Sequence, residues 1–387
     1  MPVLNRIAEF QDEMTAWRKH LHAHPEMGYE TVETAAFVAD RLREFGVDEI
    51  HTGVAENGLV ALIHGQGTGP VVGLRADMDA LPIQEVNDLP HKSTVPGKMH
   101  ACGHDGHTAI LMGAAKYLSE TRNFRGTVAL MFQPAEEGGG GALRMVEEGV
   151  LDRFDIDQVF ALHNWPGLPQ GSMDMNPGPA MAAADKFDIQ LVVNGAHAAW
   201  PHKSVDAIFV GSLIVQALQS IVARTINPRE EVVLSITQFQ AGNTHNVIPT
   251  QAELKGTVRV LNEDLRVEIA DRIEKIVTGL AAAHGAEVVF DYEMGYPVTV
   301  NDPQATEFAL GAARDVFGAN ATMDHIPAMG AEDFSYMLQH RPGAYVFLGH
   351  GDGPALHHPE YDFDDSIAPL GASFFARLVE RGAPVVP

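Results

Sequence analysis

The segment HACGHDGH, residues 100–107, places three histidines, an aspartate and the only cysteine of the 387-residue chain within eight positions. Imidazole and thiolate groups are the ligands that zinc and neighbouring divalent transition metals prefer in proteins. The simpler alternative is a turn that carries polar residues without a metal. The positions of other potential metal-binding side chains along the chain decide between a metal site and a polar turn.

Further metal-binding side chains follow the predicted strands, each near the point where a strand ends. They are Asp77 and Asp79 after strand 70–77, Glu136 and Glu137 after strand 126–134, and His163 at the end of strand 158–164. The carboxyl ends of parallel strands meet at one edge of a sheet, where ligands bind. With Cys102 nearby, there are more donors than one tetrahedral ion needs, which predicts two metal ions and a bridging thiolate.

The adjacent pair Glu136–Glu137 indicates hydrolytic chemistry. Two neighbouring carboxylates do not readily face the same cation, so one can bind metal while the other acts as a general base toward water. An acidic helix N-terminus, favoured by the helix dipole, is the alternative. Cys102 also has a second interpretation, as a nucleophile with a histidine base. That mechanism has no role for the glutamate pair or His163, so metal-assisted hydrolysis is favoured.

Composition excludes several classes of partner. The net charge is -25, from 26 Lys and Arg against 51 Asp and Glu, so nucleic acid and anionic membranes would be repelled. An anionic substrate would need a local cation. One cysteine excludes an intrachain disulfide. There is no signal peptide pattern and no apolar run of roughly 20 residues, so we expect a cytoplasmic protein.

The first half alternates apolar strand patterns with helical ones, which predicts an α/β domain with a largely parallel central sheet flanked by helices. The predicted strands are 58–65, 70–77, 126–134, 158–164 and, near the C-terminus, 343–351. The predicted helices are 33–45, 108–120 and 142–148.

The segment 176–185 is predicted to be a linker, because the order of strands and helices changes after it. After it come strand 186–195, helix 204–223, strands 231–240 and 252–261, helix 263–283 and strand 286–294. This βαββαβ order predicts an inserted ferredoxin-like domain. Asn262 and Gly285 are the expected first and last caps of its second helix. The predicted division is 1–182 and 295–387 for a discontinuous catalytic domain, and 183–294 for the insert.

Nine segments of the chain, taken in order, resemble the motifs of one enzyme family. They are WRKHLHAHPEMGYET, RADMDALPIQE, HACGHDGHTAILMGAAKYL, FQPAEEGGGGALRMVEEG, ALHNWPGLPQG, NGAHAAWPH, NVIPTQAELKGTVR, GAEDFSYM and LHHPEYDFDD. The family is that of the aminoacylase/carboxypeptidase-type dinuclear metallo-amidohydrolases. Within it, the chain is most similar to the branch of hippurate hydrolase, N-acyl-amino-acid deacylases and indole-acetyl-amino-acid hydrolases.

The resemblance implies two divalent metal ions per subunit, which are zinc, manganese, cobalt or nickel. The implied ligands are Cys102, His104, Glu137, His163 and His357, with His358 as the alternative if the register of the last motif differs. Glu136 is the implied general base, and Asp79 is an aspartate that assists the centre without binding metal. Asp77 is not among the implied ligands.

The resemblance also implies residues that bind substrate. His197 from a partner subunit stabilises the oxyanion formed on the amide carbonyl, which makes a homodimer, or a tetramer, the expected assembly. Asn246 and Arg259 hold the substrate carboxylate, so Arg259 supplies the local cation that the acidic chain requires. Gly330 brings backbone close to the substrate.

The expected activity is metal-dependent hydrolysis of the amide bond of N-acyl-L-amino acids, a small-molecule substrate. One alternative is a dipeptidase or carboxypeptidase with the same dinuclear site. Another is a metal-binding or ligand-binding relative without catalysis, although such a protein needs no base at position 136.

Overall fold

The computed structural model describes residues 3–382, and within that range it contains sixteen β-strands and eleven α-helices. The strands are β1 Glu49–Val54, β2 Gly58–His64, β3 Val71–Asp77, β4 Thr127–Gln133, β5 Gln158–Pro166, β6 Met173–Asp174, β7 Gly178–Met181, β8 Ala183–Val192, β9 Ala196–His197, β10 Val232–Ala241, β11 Val247–Ile248, β12 Gln251–Val260, β13 Glu287–Glu293, β14 Thr299–Asn301, β15 Ala321–Thr322 and β16 Gly343–Gly351. The helices are α1 Asn5–Ala8, α2 Gln11–Ala23, α3 Val32–Glu44, α4 His104–Thr121, α5 Gly141–Glu147, α6 Val150–Arg153, α7 Ala207–Ser220, α8 Glu263–His284, α9 Pro303–Phe317, α10 Ser335–Leu338 and α11 Ala368–Glu380.

The chain divides into two compact units. Unit 1 contains the chain up to Ala180, the segment Val300–Ile326 and the residues from Asp333 onward; unit 2 contains Met181–Thr299 and Pro327–Glu332. The predicted linker at 176–185 contains the first boundary between the two units, after Ala180. It is ordered as strands, because β7 and the start of β8 lie there, and its alanines at 180, 182 and 183 are buried.

Unit 1 is built on an eight-stranded sheet of order β1-β2-β4-β3-β5-β16-β6-β15. The four central strands β4, β3, β5 and β16 run parallel, and antiparallel pairing occurs toward the edges, at β1–β2, β2–β4 and β16–β6. The central strands are almost continuously apolar and buried, as expected for parallel strands covered on both faces. The five strands predicted for this unit are confirmed within two residues.

Helix α4 begins four residues before the predicted start at position 108. Gly103, at φ 92°, occupies the left-handed region just before the helix, and its carbonyl accepts from the backbone N–H of His107 at 3.0 Å. The early start places His104 and His107 in the first turn of a helix that packs on β3 and is buried along most of its length.

Unit 2 has the element order β8-α7-β10-β12-α8-β13, and its four main strands form an antiparallel sheet of order β10-β12-β8-β13. Both predicted caps of α8 are confirmed. The Asn262 side chain accepts from two backbone N–H groups, and Gly285, at φ 77°, ends the helix. The apolar faces of α7 and α8 pack with the sheet in one buried core.

The stretch Ala207–Thr225, which is α7 and one following turn, matches a membrane span in length and composition. A third of it is buried, and the buried residues include Val210, Ile214 and Leu218 in the core of unit 2. Core helices of water-soluble proteins have the same composition, so this stretch alone does not indicate a membrane protein.

A buried ion network lies behind the first turn of α4 in unit 1. The His22 ring contacts Asp105 through Nδ1 at 2.8 Å and Glu85 through Nε2 at 3.3 Å, and all three side chains are fully buried. Burial opposes protonation of His22, but the two carboxylates outweigh it and raise the pKa of His22 to about 9. The charged imidazolium therefore stabilises the fold below the ordinary histidine pKa, and this contribution is lost as the pH rises through 9.

We expect His22→Gln to reduce the free energy of unfolding more at pH 6 than at pH 10, with the two losses differing by roughly 3 kcal/mol. Chemical denaturation at both pH values measures the effect. His202→Gln, at an exposed histidine, is the control and should show equal, small losses. A loss at His22 that does not change with pH would contradict a charged His22 in the folded state.

Candidate metal centre

The predicted site residues of unit 1 lie where the parallel strands end. Asp77 ends β3, Glu136 and Glu137 follow β4, and His163 lies on β5. His104 begins α4, which packs on β3. These side chains converge because β4, β3 and β5 are parallel neighbours whose carboxyl ends share one edge.

The five predicted ligands meet in two groups that share one thiol. Cys102 Sγ lies 3.4 Å from His163 Nε2, and Glu137 Oε1 lies 3.3 Å from His357 Nε2. Donor atoms of Cys102, His104 and His163 lie within 4.8 Å of one another, as do those of Cys102, Glu137 and His357. This arrangement suits two cations joined through the sulfur.

The hydrogen bonds behind the site leave metal-binding lone pairs directed into it. His104 Nδ1 donates to the Asp79 carbonyl at 2.8 Å, and His163 Nδ1 donates to the Asn164 carbonyl at 2.6 Å. When the ring is neutral, each bond keeps the hydrogen on Nδ1, so Nε2 carries the free lone pair. Among the described residues, His104 Nε2 is buried without a hydrogen-bond partner. Because such groups are costly to bury alone, this donor set fits a divalent cation.

The electrostatics of the site also favour a cation. Burial raises the pKa of the Cys102 thiol well above its ordinary value, and Glu137 and Glu136 raise it further. Burial opposes protonation of His104, but Asp77 and other carboxylates outweigh it and raise the pKa of His104 to about 10. The pocket therefore carries an excess of negative charge that a bound cation would neutralise.

Asp79 connects the loops that carry the donors. Its two carboxylate oxygens accept from the backbone N–H groups of Glu136 at 2.9 Å and Glu137 at 3.1 Å. Its carbonyl is the acceptor that orients His104. Asp79 thus fixes the glutamate pair and one imidazole without offering its own carboxylate to the donor groups.

Sequence reasoning missed a buried chain of hydrogen bonds beside the site. His107 Nδ1 contacts Asp77 Oδ1 at 2.6 Å, His107 Nε2 contacts Asn164 Oδ1 at 2.6 Å, and Asn164 Nδ2 donates to the Tyr361 hydroxyl at 2.7 Å. This chain joins β3, α4 and β5. The spacing of three residues between His104 and His107 was a usable signal, because it places both on one helix face.

The loop 26–29, within the motif HPEMGYE, supports the loop that carries Asp79 and the loop that carries the glutamate pair. Three bonds do so: from the Ala80 N–H to the Glu26 carbonyl at 2.8 Å, from the Ala135 N–H to the Gly28 carbonyl at 3.1 Å, and from the Tyr29 hydroxyl to the Gly139 carbonyl at 2.8 Å. Ala135, at φ 56°, is left-handed although it is not glycine, so its conformation depends on this support. The Tyr29 bond fixes the glycine-rich segment that follows the glutamate pair.

In unit 2, His197 and Asn246 lie together. His197 on β9 pairs with Val247 on β11, and the Ala198 N–H donates to the Asn246 carbonyl at 2.9 Å. His197 and Asn246 are exposed. Neither residue is therefore fixed in a buried structural role.

Arg259 and Gly330 lie near the start of β8. Arg259 on β12 pairs with Ala184, and the Gly330 carbonyl accepts from the Ala182 N–H at 2.9 Å. A Cβ atom on Gly330 would lie 3.0 Å from the end of the Met181 side chain, so the backbone is closely approached there. Arg259 is half-buried, and within the described residues it makes no ion pair.

Asn246 and Arg259 lie toward opposite ends of β8. Gln251, five residues after Asn246, pairs with Val192, whereas Arg259 pairs with Ala184. The strand between those positions spans roughly 26 Å at about 3.3 Å per residue. Within one protomer the extended strand separates the two residues, and the expectation that they hold one carboxylate stays a prediction.

Comparison with known proteins agrees with this geometry. The family model of peptidase family M20/M25/M40 matches residues 73–381. Hippurate hydrolase of Campylobacter jejuni is 40% identical over 379 residues, which cover 98% of both chains. An N-acyl-L-amino acid amidohydrolase of Geobacillus stearothermophilus is 46% identical over 297 residues, which cover 76% of this chain and 80% of that protein.

A solved structure of a dinuclear metal binding peptidase of the M20 family from Bacillus subtilis is also similar. It shares 35% identity and a TM-score of 0.84, with 97% of this chain and 98% of that chain covered. The mixed α/β fold with a large central sheet is thus that of a dinuclear M20 hydrolase. The chain belongs to peptidase family M20/M25/M40.

We expect Tyr29→Phe to loosen the glycine-rich loop after Glu137, because the hydroxyl bond to the Gly139 carbonyl is lost. Hydrogen–deuterium exchange of peptides covering 135–141 should rise roughly 3- to 10-fold. Tyr117→Phe is the matched control, since it removes a hydroxyl that donates to Glu380, also at 2.8 Å. Equal exchange in both variants would show that Tyr29 does not fix this loop.

Proposed function

We propose that this protein hydrolyses the amide bond of N-acyl-L-amino acids. The observation that carries the proposal is the pair of donor groups that share Cys102, one buried and one open to solvent at His357, with Glu136 grouped beside His104 and Glu137. Relatives named hippurate hydrolase and N-acyl-L-amino acid amidohydrolase support the substrate class. A free α-carboxylate on the substrate fits Arg259, which makes no ion pair within residues 3–382 and donates one hydrogen bond to the Thr257 hydroxyl.

The residues that would hold two divalent ions, zinc, manganese, cobalt or nickel, are Cys102, His104, Glu137, His163 and His357. When bound, these ions supply Lewis acidity, which acidifies the attacking water and polarises the amide carbonyl. The loop that carries His357 is fixed by the bond from the His357 N–H to the Ala101 carbonyl at 2.8 Å. The backbone of His357 itself is left-handed, with a φ of 65°.

Glu136 is the proposed general base. Its side chain is 7% exposed, and one carboxylate oxygen lies within 4.8 Å of donor atoms of His104 and Glu137. The bond from its N–H to Asp79 fixes the backbone from which the carboxylate projects. Glu136 takes the proton from the attacking water and returns it to the leaving amine.

The substrate-binding residues of unit 2 support a site shared between two protomers. Burial lowers the pKa of Arg259, which indicates a poorly solvated guanidinium suited to binding a carboxylate. Asn246 from the partner would complete that carboxylate site, and His197 from the partner would stabilise the oxyanion. Gly330 would let the backbone approach the substrate. A homodimer is therefore the smallest active assembly that we propose.

Residues 183–294 are the proposed ferredoxin-like insert that mediates this dimerisation, within a catalytic domain of residues 1–182 and 295–387. The order of strands and helices in unit 2 supports the ferredoxin-like assignment. A cytoplasmic location is proposed from the single cysteine and the absence of any disulfide it could form.

We expect Glu136→Gln to retain two metal ions per subunit and to lose turnover of N-acyl amino acids by about 100- to 10,000-fold, because the amide cannot accept a proton. Elemental analysis and steady-state kinetics measure the two properties. Glu147→Gln, at an exposed glutamate, should leave both unchanged. Full turnover in Glu136→Gln would remove the role of Glu136 as base.

The substrate class has its own test in the wild type. Faster hydrolysis of unblocked dipeptides than of N-acyl amino acids would assign a dipeptidase or carboxypeptidase.

We expect His197→Ala and Arg259→Ala each to be nearly inactive as homodimers and to complement each other when mixed. Random subunit exchange makes half of the dimers mixed. In a mixed dimer one site contains both His197 and Arg259 and the other contains neither, so about a quarter of wild-type activity should return. Subunit exchange followed by kinetics measures this. Each variant mixed with itself is the control. No recovery despite proven exchange would place both residues in sites within one protomer.

A further inference from the structure

One buried hydrogen bond connects the segments that carry the two donor groups, and the proposed chemistry does not use it. The inner group is Cys102, His104 and His163, and the outer group is Cys102, Glu137 and His357. The bond runs from Asn164 Nδ2 to the Tyr361 hydroxyl at 2.7 Å. Asn164 directly follows His163 of the inner group, and Tyr361 lies four residues after His357 of the outer group.

The outer group depends on a loop. Residues 352–364 follow β16 and contain neither helix nor strand. The side chain of His357 is 52% exposed, whereas that of Glu137 is 12% exposed. A half-exposed side chain receives little packing, so the position of this imidazole depends on how the backbone of the loop is held.

Tyr361 is the buried anchor of this loop. Its side chain is fully buried, and its ring packs on that of His350 with the centroids 5.5 Å apart. Its N–H donates to the His358 carbonyl at 3.0 Å, and its carbonyl accepts from Asn87 Nδ2 at 3.2 Å. Its hydroxyl makes the bond that reaches the inner group.

The other end of that bond is fixed. Asn164 is fully buried, and its Oδ1 lies 2.6 Å from His107 Nε2, while His107 Nδ1 lies 2.6 Å from Asp77 Oδ1. Gly103, in the middle of the loop of the inner group, packs directly against the bond. A Cβ atom there would lie 2.1 Å from Asn164 Oδ1 and 2.8 Å from the Tyr361 hydroxyl oxygen. The hydroxyl of Tyr361 therefore holds its loop against a rigid part of the inner group.

We propose that Tyr361 is the positioning residue of the outer metal ion. Its bond with Asn164 keeps the loop of His357 at a fixed distance from the inner group, which two ions that share Cys102 require. Residues that orient metal ligands in this way contribute about 10- to 100-fold to metal affinity. This inference rests on the proposed function, because it assumes the two ions. Tyr361 itself binds neither of them.

The test follows the release of Co²⁺ from the loaded full-length protein as a chelator is added, by visible absorption and elemental analysis. The wild type should hold two ions per subunit, and His357→Ala, the reference, only one. In Tyr361→Phe we expect the more weakly held ion to leave at a free Co²⁺ concentration about 10-fold higher, while the other ion shifts less than about 2-fold. Tyr117→Phe removes a hydroxyl that donates to Glu380 in the same unit, and it should release both ions like the wild type.

A second variant serves if Tyr361→Phe does not fold. Asn87→Ala removes the bond to the Tyr361 carbonyl and should weaken the same ion about 3-fold.

Two results in these variants would overturn the inference and leave the metal centre intact. Equal weakening of both ions would mean that Tyr361 only supports the fold. Unchanged release of both ions would mean that the loop of His357 is held without this anchor. A wild type that holds fewer than two ions, or a His357→Ala variant that still holds two, would overturn the proposed metal centre itself, and this inference with it.

Discussion

The candidate centre depends on one residue, Asp79, that ties three chain segments together. Its carboxylate accepts from the backbone N–H groups of Glu136 and Glu137, and its carbonyl accepts from the ring of His104. The end of β3, the loop after β4 and the start of α4 are therefore fixed relative to one another by hydrogen bonds. These bonds use the backbone N–H groups of the two glutamates and Nδ1 of His104. The two carboxylates and Nε2 of His104 therefore stay available to the pocket.

The second constraint is electrostatic. Asp77, Asp79, Glu136 and Glu137 are buried or nearly buried within one small region, and the positive charge that reaches Asp77 comes from His104 and from Arg75, the latter at 2.7 Å. Burying several carboxylates together costs free energy unless cations compensate. Arg75 is itself shared with Asp333, so it does not neutralise the whole pocket. A site of this kind holds its geometry best when cations occupy it, which links the stability of the site to its chemistry.

Much of this organisation could be predicted from the sequence because it is local. Strand patterns locate the ends of β3, β4 and β5, and parallel order then requires their terminal residues to converge. The early start of α4 could not be predicted, because it depends on the left-handed conformation of Gly103. The support from Asp333 to Arg75 links residues 258 positions apart, and no local pattern indicates it. The separation of Asn246 from Arg259 follows only from the pairing of β12 with β8.

The position of β16 also constrains how the molecule is made. This strand inserts between β5 and β6, and it is followed in sequence by His357. A nascent chain that has reached the end of α8 already contains most of unit 2, yet β5 still has an open, apolar edge. Such an edge invites pairing with other chains. The predicted ligand set is therefore completed only when the last segment of the chain, which carries β16 and His357, has been synthesised.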